Sequence, residues 1–121
     1  MDGPCFVYLI GCKDGCGPTK IGVTGDLGKR LATVQTNCPF EAVLHASVFF
    51  PLRYLAVSIE QLCHQMLASR RLHGEWFDID SKLAHQAVCA QTAGVFLQLG
   101  LGDEYFSLAV NWLAYRRGIY G

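Results

Sequence analysis

Apolar positions in the first fifty residues come in short alternating or continuous runs, and after that in stripes three and four residues apart. This predicts strands first and helices afterwards. Residues 6–10 form a β-branched and aromatic run and residues 20–24 another, with the breaker-rich stretch 11–19 between them, so the pair reads as a hairpin with a loose loop. Thr24 or Asp26 can cap the next helix, where Leu27, Leu31 and Val34 make a buried stripe and Asn37-Cys38-Pro39 a stop. Residues 42–50 have the length and apolar character of a central strand. After Pro51, a helix over about 52–70 carries Leu55, Ile59, Leu62, Met66 and Leu67 on one side, with Glu60 and His64 sharing a face four residues apart. Residues 72–75 read as a turn and 76–79 as a short strand or extended segment. Ser81 can cap a helix reaching about Leu99, Gly100-Leu101-Gly102 breaks it, and Asp103 or Glu104 starts another reaching Tyr115.

A chain of 121 residues fits one domain with a single core. Ten basic residues balance ten acidic ones, so the molecule as a whole lacks the excess positive charge that marks many nucleic-acid binders. The distribution is uneven, however. Residues 13–71 hold seven basic groups against four acidic ones, which allows a modestly positive face there as well as ordinary solvated surface. Six cysteines raise the question of disulfides or zinc. The spacing of Cys5, Cys12, Cys16 and Cys38 lacks paired Cys-x-x-Cys units, and buried thiols acting as small hydrophobes are the better reading. No basic segment, apolar run and cleavage site lead the chain, and no apolar stretch is long enough to span a bilayer, so a soluble cytoplasmic protein is expected.

Chemistry concentrates in the first eighty residues. Tyr8 stands on one predicted strand, Lys20-Ile21-Gly22 on the next, Arg30 one turn into the first helix and Glu60 on the second. Attack on a phosphate diester requires a base, cations to meet developing negative charge, and a carboxylate to hold a metal. These residues supply each of them.

The motifs Val7-Tyr8-Leu9-Ile10, Lys20-Ile21-Gly22-Val23-Thr24, Lys29-Arg30-Leu31, Glu60 to His64 and Gly74-Glu75-Trp76-Phe77, in this order, resemble the GIY-YIG nuclease superfamily, in particular its branch named for a phage T5 open reading frame. The resemblance covers about residues 5–80. It implies an α+β fold with a small three-stranded antiparallel sheet flanked by helices, residues 1–80 forming the nuclease-like core and 81–121 a helical extension packed on it. It also implies that Tyr8 helps activate water, Arg30 faces the scissile phosphate and Glu60 holds magnesium or manganese, with Gly22 the glycine of the second half-motif. Lys20 departs from the pattern, standing where better-known members have a second tyrosine. The terminal Gly118-Ile119-Tyr120 spells the first half-motif again and is read as coincidence.

Each residue also has a plainer reading. Lys20 could lower the Tyr8 pKa, bind phosphate directly, or simply guard a strand edge. Tyr8 could be a packed strand aromatic, Arg30 a solvated side chain and Glu60 one half of a helix ion pair. His64 reads best as a hydrogen-bonded core histidine, Trp76 as core rather than a stacking platform, and Glu75 as a cap or salt-bridge residue rather than a metal ligand. Lys29, Arg70 and Arg71 are candidates for tracking a nucleic-acid backbone, although arginines at helix ends also suit the dipole. The leading expectation is a metal-dependent endonuclease-like domain acting on DNA rather than RNA. The alternative is a nuclease-like module that binds nucleic acid or protein without cutting. A homodimer through the apolar segment 105–115 is a third possibility.

Overall fold

The computed structural model describes residues 3–100. In chain order these form β1 (Cys5–Cys12), β2 (Thr19–Thr24), α1 (Leu27–Thr36), β3 (Ala42–Phe50), α2 (Arg53–Met66), a 3-10 turn (Ala68–Arg70), β4 (Arg71–His73), β5 (Trp76–Phe77) and α3 (Ser81–Gln98). The strands make one antiparallel sheet in the order β3-β1-β2-β5-β4. The expected three strands are present, and a short β4–β5 hairpin widens the sheet to five. β5 falls within the expected short strand over 76–79, whereas β4, at three residues and partly within the expected turn, is too short for a period-two pattern to register. Gly74, at φ 57°, supplies the turn between them in a conformation that L side chains avoid.

The sheet has helices on both faces. Cys5, Val7 and Leu9 of β1 point with Ile21, Ala46, Val48 and Phe50 into the main core, which α2 closes with Leu55, Ala56, Ile59 and Cys63. Tyr8 and Ile10, the alternate residues of β1, point the other way, to Val34, Leu27 and Leu31 of α1 and to Trp76. The strand over residues 42–50 lies at the sheet edge, not at its centre. Its apolar run reflects burial under helices on both faces rather than strands on both sides.

Local chemistry fixes the helix ends. Asp26 caps α1, its carboxylate accepting the Lys29 N–H at 3.0 Å, while Thr24 Oγ1 accepts the Asp26 N–H at 3.1 Å. Gln35 ties the α1–β3 connection through the Phe40 carbonyl and the Ala42 N–H. α2 ends at Met66, earlier than its apolar stripe suggests. Met66 is exposed, and the buried stripe is Leu55, Ala56, Ile59 and Cys63, continued by Leu67. The cap of α3 is Asp80, one residue before the expected Ser81, whose own N–H reaches back to the Gly15 carbonyl. α3 places Ala84, Ala87, Val88 and Phe96 in the main core, with the Phe96 ring edge-on to Phe50. The apolar segment 105–115, and with it the dimer expectation, lies outside the described residues.

Candidate active site

Tyr8 sits at mid-strand, directly opposite Gly22 in the β1–β2 register, and is fully buried. Its hydroxyl lies over the Gly22 backbone. A Cβ at Gly22 would collide with the Tyr8 hydroxyl and stand 2.6 Å from Glu75 Oε1, so a side chain there is incompatible with this arrangement. The Tyr8 hydroxyl donates to Glu75 Oε1 at 3.2 Å, and Lys20 Nζ lies 3.5 Å from the same oxygen. Arg30 reaches over the Tyr8 ring from α1, 5.9 Å from its centroid.

Glu60 joins this group from α2, the helix on the opposite face of the sheet. β2 pairs with β5 only at Thr19 and Lys20, followed by the Ile21 N–H to Glu75 carbonyl bond, and beyond this the outer edge of β2 has no strand partner among the described residues. There α2 closes over it. His64 Nε2 donates to the Ile21 carbonyl at 2.8 Å while its ring rests 4.9 Å from Phe77. One turn earlier on α2, Glu60 forms a side-chain hydrogen bond with Glu75. Burial, reinforced by the Glu75 charge and that hydrogen bond, pushes the Glu60 carboxyl up to about 7, against the weaker opposing pull of Arg53 and Arg30. The Glu60 carboxyl therefore exchanges its proton near neutral pH.

The expected activation of Tyr8 by Lys20 is not what these groups build. The phenol is pushed above its ordinary value of 10, by burial first and by the Glu75 charge next, with Arg30 offsetting only part. The Lys20 ammonium lies against the same Glu75 oxygen that accepts from Tyr8, and over the Trp76 ring, whose centroid is 5.6 Å away. Glu75 is the residue that reading the sequence undervalued. A salt bridge was foreseen for it, but not its place between Tyr8, Lys20 and Glu60. The available signal was its position in Gly74-Glu75-Trp76-Phe77, beside a strand that must pair next to Lys20.

Tyr8, Lys20, Gly22, Arg30, Glu60 and Trp76 thus converge around Glu75, with His64 holding the adjoining strand edge. Trp76 is half-buried, its ring meeting Phe40 edge-on. Lys29 is exposed on α1 next to this group. Arg70 and Arg71 are exposed on the outer hairpin, where they donate to the Asp78 and Gly74 carbonyls at 3.3 and 2.8 Å.

Oxygen donors for a cation are confined to Glu60 and Glu75 at this place. Among the described residues no group of three or more His, Cys, Asp or Glu side chains is arranged to hold a metal. A pair of carboxylates does meet the needs of a hydrated hard cation, which keeps several waters and takes one or two protein oxygens.

The model of the T5orf172 domain matches residues 5–92, about three-quarters of the chain. The chain belongs to the T5orf172 domain family. The matched span of this T5orf172 domain contains every residue of the cluster and continues past the motifs into the first twelve residues of α3. Membership fits a nuclease-like or DNA-associated domain. No curated protein and no solved structure matches the chain. No helix among the described residues is long and apolar enough to cross a membrane.

Proposed function

We propose that this T5orf172 domain is a metal-dependent endonuclease of the GIY-YIG type that hydrolyses phosphodiester bonds, in DNA rather than RNA. The observation that carries the reading is the convergence of a phenol, two cations and a carboxyl pair over the side-chain-free Gly22. In hydrolysis, water adds to phosphorus as the P–O bond to the leaving oxygen breaks. The water must lose a proton, and charge builds on the non-bridging oxygens. Arg30 and Lys20 supply the charge that meets it, Arg30 through a planar fork suited to two phosphate oxygens.

Tyr8 stays protonated at neutral pH, so its hydroxyl works as a relay. It takes the proton of the attacking water as it passes its own along the 3.2 Å bond to Glu75. Glu60 with Glu75 would hold magnesium or manganese, which when bound polarises the water and neutralises a phosphate oxygen. The test is nicking of supercoiled plasmid by purified protein with manganese. Glu60→Ala and Tyr8→Phe are each expected to lower the rate by ~10²-fold or more, the usual cost of removing one preorganised polar group. Equal nicking by wild type and both variants would overturn the assignment.

A second reading, a module that binds nucleic acid without cutting it, rests on the Lys20–Glu75 ion pair, which occupies both partners, and on the neutral overall charge. Retention of plasmid on the protein with no nicking in either metal would select it.

A further inference from the structure

Two shallow cavities lie along α1 and share a wall. One, of about 270 Å³, is lined by Thr24, Asp26, Lys29, Arg30 and Thr33. The other, of about 170 Å³, is lined by Lys20, Arg30, Thr33, Val34, Asn37 and Trp76. Arg30 and Thr33 belong to both. Arg30, Thr33 and Asn37 are spaced three and four apart, so they form one polar ridge running the length of the helix, with Arg30 over Tyr8 and the reactive group. Neither cavity reaches the ~300 Å³ at which enclosed small-molecule sites begin. They suit pieces of a polymer passing over the surface.

Chemistry narrows the ligand further. The Trp76 ring already has Lys20 over it and Phe40 at right angles to it, which disfavours a stacked base there. The groups on offer are instead cations and an amide, with the Thr33 hydroxyl, which donates to the Lys29 carbonyl at 3.0 Å, on the wall between the cavities. Lys29 is exposed. Asn37 Nδ2 makes one long 3.5 Å contact to the Thr33 carbonyl and keeps a second N–H free of it. Asp26 brings a negative charge to the first cavity, but its Oδ1 is held by the Lys29 backbone N–H, and the two cations Lys29 and Arg30 outnumber it.

We propose that the two cavities are successive phosphate subsites for one nucleic-acid strand, which tracks α1 from Lys29 to Asn37 and presents the phosphate between them to Arg30. Thr33 and Asn37 are then substrate-contacting residues that position the strand without reading its sequence. The inference rests on the nuclease reading above, and it adds the path of the contact.

The test measures binding of a short labelled single-stranded DNA by fluorescence anisotropy, with EDTA present so that cleavage does not interfere, alongside plasmid nicking in manganese. Lys29→Ala is expected to weaken binding and to flatten its dependence on the logarithm of salt concentration by about 0.7, the contribution of one phosphate contact on a single strand. Asn37→Asp keeps the size of the side chain and reverses its electrostatic sense, and is expected to weaken binding on the order of tenfold, with Thr33→Val giving a smaller loss. Lys82→Ala, an exposed change on α3 across the sheet, serves as the control and should bind as wild type.

If wild type nicks plasmid while Lys29→Ala, Asn37→Asp and Thr33→Val bind like the control, the strand does not follow α1 and the subsites are wrong, with the nuclease reading intact. Wild type that neither binds nor nicks removes both. Circular dichroism of each variant identifies any that lose binding by unfolding, and for these Asn37→Ala and Lys29→Gln replace the first choices with the same expected directions.

Discussion

A single methyl group tests the architecture of the site. Gly22→Ala would push that methyl into the Tyr8 hydroxyl and the Glu75 carboxylate, and neither can retreat without breaking the bond between them. Overpacking of this kind costs about 1–3 kcal/mol, so the variant should fold with a lowered melting temperature. Its nicking should fall far more than its stability, because the displaced groups are those that move the proton. Activity matching wild type in the folded variant would show that the Tyr8–Glu75 bond is not part of the chemistry. At this scale the sequence was legible where a residue type and its spacing were both unusual. Tyr8, Gly22, Arg30 and Glu60 could be named because each stands in a motif whose parts recur in order. Glu75 could not be ranked, because its importance comes from a two-residue strand pairing with β2, and nothing local in the sequence announces that pairing. The surroundings of Lys20 are hidden from the sequence for a related reason, because its acidic partner comes from another element.

Among the elements, β1, β2, α1 and α2 were readable because their apolar spacing is long and regular, while the edge position of β3 was not. A strand covered by helices on both faces carries the same apolar run as one flanked by strands, so periodicity cannot tell the two apart. α3 raises a different issue, since its place after the last motif makes it look like an addition to a finished core. Its residues pack into that core. Phe96 is 1% exposed against Phe50, and Ala84, Ala87 and Val88 fill the space beside α2. A chain ending at Asp80 would uncover the main core along that whole side. It is expected to lose cooperative unfolding and to bind hydrophobic dyes, as an expanded state with exposed apolar surface does. In the full-length chain, Phe96→Ala should cost about 3–5 kcal/mol. A sharp, wild-type-like thermal transition from the chain ending at Asp80 would show instead that the first eighty residues are self-sufficient.

For the molecule as a whole, the Glu60 carboxyl links folding to pH, and a cation of the kind proposed would couple to the same group. Glu60 titrates near 7 in the folded chain and near 4.5 when unfolded, so between those values the folded state holds a proton that the unfolded state has released. Stability from this group is therefore fully present below about pH 4.5, declines as pH rises through the window, and is lost once pH passes 7. The melting temperature of the metal-free protein should fall between pH 5 and pH 8, and Glu60→Gln, which has no proton to lose, should remove that part of the slope. A divalent cation held by the same oxygens competes with the proton and binds the folded state alone, so it should raise the melting temperature more at pH 8 than at pH 5. Glu60→Gln should abolish that gain along with the slope. A melting temperature that manganese leaves unchanged at both pH values would mean that the pair is a proton site and no cation site. The metal-dependent part of the functional reading would then fall, whatever the plasmid assay shows for binding.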